Sequence, residues 1–169
     1  MNTPQPSPTD VAKAIETIFA KLPDQLVPGT KDRDWTRQLK ENIGNLGDSY
    51  GWRICTSGFK DHFDCEWLYD LTWYRNDSDN HLSEVFLVLE SEWALAQSAI
   101  KYDFEKLLLA KATLKVMVFQ ASEKDLQTVF SLLERGIQAF YRNSVDEIYI
   151  FAGFNLNEHK FFVRYVPSA

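Results

Sequence analysis

The stretch that most limits what this chain can fold into is residues 66–92, EWLYDLTWYRNDSDNHLSEVFLVLESE. Two apolar runs, 66–74 and 82–89, flank the polar turn 75–81, a pattern that predicts a β-hairpin. Successive side chains of a strand point to opposite faces, so the first run sets Glu66, Leu68, Asp70 and Thr72 on one face and Trp67, Leu71 and Trp73 on the other. Asp70 is then an acid inside an apolar strand. The second run is wholly apolar from Val85 to Leu89, as in a strand covered on both faces, and it ends in Glu90, Ser91 and Glu92. Glu90 and Glu92 share a face.

Charge singles out the same region. The 169 residues carry 24 acidic and 18 basic side chains, a formal net charge of −6. Residues 61–92 hold nine of the acids and one basic residue, Arg75, so this segment stands at −8 and the other 137 residues at +2. A negative chain argues against nucleic-acid binding, which Lys and Arg dominate. Here the acidity is local, and the argument does not extend to the rest of the surface. Asp77 and Asp79 suit a solvated turn. Asp70 and Glu90 do not, because a carboxylate among apolar strand residues is costly to desolvate unless it is paired, protonated or metal-bound. A salt bridge to Arg53 or Arg75 is the structural way to meet that cost.

The remaining chain reads as a scaffold for one domain, 1–169, with 45% hydrophobic residues to build its core. Ser7, Pro8 and Asp10 open a helix over 8–22, striped by Val11, Ile15, Ile18 and Leu22. A second helix is expected over 32–46 on Trp35, Leu39, Ile43 and Leu46, then a short strand over 52–56. After Glu92 the period changes to 3.6, and Ile100, Phe104, Leu107 and Leu108 predict a helix over 98–111. A buried strand follows over 114–119. Ser122 and Asp125 form a capping-box pattern ahead of a helix on Leu126, Val129, Phe130, Leu133, Ile137 and Phe140. Strands over 147–152 and 160–166 close the chain as a hairpin, so the C-terminal helix and hairpin occupy 122–166. The order α, α, β, β, β, α, β, α, β, β implies an α/β layered domain. Its sheet should be mixed, because the strand at Leu114 follows a helical crossover.

No apolar run approaches the roughly 20 residues that span a bilayer, and residues 1–8 lack the features of a signal peptide. A cytoplasmic location without a membrane partner is expected. Cys55 and Cys65 are too few for a disulfide framework or a thiolate zinc site and read as reduced core thiols. Asp61, His62 and Asp64 are a weak pattern for a transition metal. Glycine-rich phosphate loops, G-x-S-x-G and H-E-x-x-H are missing from the sequence.

Asp70, Glu90 and Glu92 form an all-oxygen set suited to Mg²⁺, Mn²⁺ or Ca²⁺. Such a cation on a phosphodiester supports hydrolysis. With an Asp in the second strand and Glu-x-Glu ending the third, the order of elements over about residues 32–119 resembles the PD-(D/E)XK nuclease superfamily. The resemblance implies a restriction endonuclease-like three-layer α/β/α domain around a mixed sheet, and metal-dependent cleavage of DNA or RNA. It implies Asp70 and Glu90 as ligands of Mg²⁺ (or Mn²⁺), with Glu41 as the acid from the first core helix. Glu92 stands where the family usually has Lys, and Tyr69 where it has Pro. Glu92 would help orient water, and Lys106, in the next helix, would be a migrated lysine; Lys101 and Lys111 are further candidates to approach phosphates. A second reading keeps the nuclease-like fold without catalysis, as an interaction or inhibitory module for a protein partner or a second copy. A third uses Glu90 and Glu92, about 6.5–7 Å apart at Cα, as paired acid–base carboxylates.

Overall fold

The computed structural model describes residues 6–27, 29–58, 66–140 and 146–167. Helix α1 (Pro8–Lys21) starts as its sequence requires: the Ser7 hydroxyl accepts the Asp10 backbone N–H at 3.2 Å. Its buried side chains are Val11, Ala12, Ile15 and Phe19, and a 3-10 turn, Leu22–Gln25, ends it. Helix α2 (Asp32–Ser49) buries Trp35, Leu39 and Ile43. Gly47 lets it approach the sheet, since a Cβ there would lie 2.5 Å from the Trp73 ring. Strands β1 (Arg53–Cys55), β2 (Leu71–Asn76) and β3 (Leu82–Glu92) form an antiparallel meander.

Helix α3 (Gln97–Leu109) then crosses to β4 (Leu114–Ala121), and α4 (Glu123–Ala139) crosses to β5 (Ile148–Asn155). Both crossovers give parallel pairs, β3 with β4 and β4 with β5. Strand β6 (Lys160–Pro167) returns antiparallel to β5, and the open six-stranded sheet runs in the order β1-β2-β3-β4-β5-β6.

Alternation along the strands divides the core in two. Leu87 and Leu89 of β3 pack with Trp35, Leu39 and Ile15 on the side of α1 and α2. Val88 packs with Phe104, Leu107, Phe130 and Tyr149 on the side of α3 and α4. The helices thus cover opposite faces of a mixed α/β sheet. No helix among the described residues is long and apolar enough to cross a membrane.

One boundary moves in a way that matters. The strand expected to begin at Glu66 begins at Leu71, and residues 68–70 bend instead. Strand β1 is only three residues long, so its ladder with β2 stops at Cys55 and Thr72. Beyond that point the Thr56 hydroxyl donates to the Asp70 carbonyl at 2.6 Å, in place of a ladder bond. Asp70 therefore lies just before β2 rather than inside it, and Trp67 is not held to the face of Trp73. It leans on Tyr74 with ring centroids 4.7 Å apart. Asp61, His62, Asp64 and Cys65 lie outside the described residues; Cys55 is buried.

Candidate functional site

Strand β3 is buried through its second half, and its alternation turns Glu90 toward α3. Only 2% of Glu90 is exposed. Its Oε1 lies 2.8 Å from Lys106 Nζ, an ion pair whose angles do not make a well-formed hydrogen bond, so this oxygen is under-satisfied. Lys106 comes from the last turn of α3 and also lies 3.0 Å from Asp103 Oδ1, one turn back on the same helix. Asp70 approaches from the start of β2. Its Oδ2 accepts from the Ser91 backbone N–H at 2.8 Å and from the Ser91 hydroxyl at 2.7 Å.

The electrostatics follow from one lysine among three acids. Burial pushes the Glu90 carboxyl up to about 8; Lys106 restrains the rise, and the charges of Asp70 and Asp103 add to it. Burial works against the Lys106 ammonium, but Glu90 and Asp103 outweigh it and raise that group above its usual value. Asp103 keeps a partner on Lys106 in either protonation state of Glu90. Burial also raises the Tyr69 phenol, with Glu90 as the next cause.

The residues marked from sequence do not all meet here. Asp70, Glu90 and Lys106 gather at the carboxyl end of β3, the end at which open α/β sheets bind their ligands. Glu92 is half-buried, and its Oε1 accepts the Ala94 backbone N–H at 2.7 Å, closing the turn that leaves the strand. Glu41 is exposed on α2. Among the described residues no three His, Cys, Asp or Glu side chains form a metal-holding group. The expected metal set of Asp70, Glu90 and Glu41 is thus not assembled, because the helical turn that buries Leu39 and Ile43 points Glu41 to solvent. Its neighbour Lys40 is buried instead, pairing with Glu66 and donating to Ser57 Oγ at 3.3 Å.

Neither arginine proposed to neutralise the acids does so: Arg53 lies over Tyr74 and Arg75 over Trp52. Lys101 pairs with Glu105 at 3.4 Å, and Lys111 is exposed. Asp103 was not among the sequence candidates. Its spacing of three from Lys106 on a helix is the signal that would have found it.

Two carboxylates remain at this end of the sheet, with Glu90 Oε1 against Lys106 and Asp70 Oδ2 held by Ser91. Mg²⁺ usually takes one or two protein carboxylates and completes its shell with waters and phosphate oxygens. Asp70 and Glu90 belong to that donor class, and Glu90 Oε1 lacks a hydrogen-bond partner. No protein-family model matches this chain, and no curated protein sequence matches it.

Proposed function

We propose that this chain is a PD-(D/E)XK-like, restriction endonuclease-like domain that hydrolyses phosphodiester bonds of nucleic acid. The observation that carries the reading is Lys106, which reaches from α3 to within 2.8 Å of the buried Glu90. It supplies the positive charge that Glu92 cannot supply from the usual lysine position.

Asp70 and Glu90 would hold Mg²⁺ or Mn²⁺. Such a cation, when bound, polarises the phosphoryl group and lowers the pKa of an attacking water. The chain's own groups do the rest. Ser91 fixes the Asp70 carboxylate through two hydrogen bonds. Asp103 aims the Lys106 ammonium, which offsets negative charge as it grows on the phosphate oxygens. Glu90 must ionise to act as a ligand, so cation affinity rises with pH toward and through about 8. Glu92, engaged with Ala94, stabilises the end of the strand in this reading.

Cleavage of single- and double-stranded DNA and RNA with Mg²⁺ or Mn²⁺ tests it. Asp70→Ala and Glu90→Ala should each lose at least about 100-fold. Cleavage that is equal in wild type and both variants, or missing from all three, refutes the catalytic assignment.

The noncatalytic alternative draws on one observation: Asp70 accepts two hydrogen bonds from Ser91, and Glu90 already has an ion-pair partner in Lys106 without any added ion. It predicts no thermal shift with Mn²⁺, whereas the nuclease reading predicts stabilisation that Glu90→Ala removes.

A further inference from the structure

Trp67 is 44% exposed and Leu68 76% exposed, immediately before Tyr69 and Asp70. An indole left this open is unusual in a chain that buries Trp35, Trp52, Trp73 and Trp93 to within a few per cent. The ring is nevertheless held in place. It packs on Tyr74 at 4.7 Å, and the Arg53 guanidinium lies 5.3 Å from the centre of the same tyrosine ring. Arg53 itself is anchored by donating to Asn80 Oδ1 at 3.2 Å. No carboxylate among the described residues forms an ion pair with it. A guanidinium has five N–H donors, and among the described residues Asn80 takes one of them.

This platform adjoins the acid site. Trp67 is three residues from Asp70, at most about 11 Å at Cα, and the Asp70 carboxylate is held by Ser91, the residue next to Glu90. Glu66, the nearest acid in sequence, is paired with Lys40 and accepts from Ser57 at 2.6 Å. The platform thus presents a flat ring beside a tyrosine that carries a guanidinium with no carboxylate partner among the described residues.

We infer that Trp67 stacks an unpaired base of a single-stranded nucleic acid, with Arg53 on an adjoining phosphate and the neighbouring phosphodiester at Glu90 and Lys106. This rests on the phosphodiesterase reading of the site and adds a substrate class to it. Every base has a π-face, so stacking is indifferent to sequence and to the choice of DNA or RNA. In a duplex that face is occupied by the next base pair, so the platform selects single strands.

Binding is measured without catalysis, on the full chain in a chelator, by anisotropy of short labelled single strands and of the matching duplex. Wild type should prefer the single strand. Trp67→Ala should weaken single-strand binding about tenfold or more, with Trp67→Phe close to wild type. An abasic position within the oligonucleotide should cost wild type as much as Trp67→Ala does, and cost the variant nothing further.

Equal binding of duplex and single strand, an unchanged affinity in Trp67→Ala, losses that add independently, or no nucleic-acid binding at all would each overturn the inference. The last result would leave a protein as the ligand of the patch. Cleavage with Mn²⁺ is scored separately. Glu90-dependent cleavage with no effect of Trp67 removes the platform and keeps the nuclease reading. Trp67-dependent binding with no cleavage does the reverse.

Discussion

Two buried Lys–Glu pairs lie on the α3–α4 face of the sheet, and they are built in opposite ways. In Lys106–Glu90 the acid is inside and the lysine is 36% exposed. In Lys115–Glu147 the lysine is inside, 1% exposed, and the acid sits nearer the surface. Lys115 donates to Glu147 at 2.6 Å and to the Tyr149 hydroxyl at 3.2 Å, and lies over the Tyr149 ring. Among the described residues one positive and one negative charge meet there, and the phenol takes a second of the three ammonium donors. Around Lys106, by contrast, Glu90, Asp103 and Asp70 outnumber the single ammonium.

The balanced pair at the start of β4 is a structural joint. The unbalanced one at the end of β3 has negative charge left over, which the proposed cation would take up. The pKa directions show the same contrast. Burial lowers the Lys115 ammonium, with Glu147 opposing, whereas burial raises Glu90.

The contrast can be broken most sharply at Lys115. Lys115→Ala should cost roughly 3 kcal/mol, because it leaves a cavity and a carboxylate without its ammonium. Lys115→Met, which keeps the volume, should recover most of that loss. Urea denaturation of both variants reads the difference; a Lys115→Ala no less stable than the corresponding alanine at Lys106 would show that the two pairs are alike.

The next effect is a slope. Glu90 stays protonated in the folded chain up to about pH 8, whereas in the unfolded chain it ionises near 4.5. The folded state holds the extra proton between these values, so stability should fall as pH rises from about 4.5 to about 8 and level off above. Glu90→Gln should remove this part of the fall, and a slope unchanged by that substitution would place the titration elsewhere.

Ser91→Ala should cost about 1 kcal/mol, since Asp70 loses one of its two hydrogen bonds but remains partly solvated. The smallest effect on stability belongs to Lys106→Met, below about 1 kcal/mol at neutral pH, because the lysine is partly exposed and, with Glu90 neutral there, what is lost is a helix i,i+3 pair with Asp103. Its effect on cleavage should be far larger, at least tenfold. That separation of stability from activity is what distinguishes a working lysine from a structural one.

Where side chains repeat with a fixed period, the sequence was enough. The stripes Val11–Ile15, Trp35–Leu39–Ile43 and Ile100–Phe104–Leu107 are buried as their spacing requires, and the order of helices and strands follows. Periodicity failed at residues 66–70, where a three-residue neighbour and the Thr56 hydroxyl end the strand early. It also missed Lys40, whose burial depends on Glu66 meeting α2 from 26 residues away. Lys115 was visible as a lone cation in the run LKVMVFQA, but its partners come from the parallel pairing that sets Lys115 beside Tyr149.

For the candidate site, local sequence brought Asp70 close to the end of β3, since a hairpin is a short-range structure, but it set Asp70 inside a strand that begins one residue later. Tertiary structure alone decided that Glu41 turns away, that Glu92 closes a turn, and that Lys106 with Asp103 meets Glu90. Those contacts depend on how α2 and α3 rotate as they dock on the sheet. That rotation is set by packing of many apolar side chains at once, and no motif of a few residues encodes it.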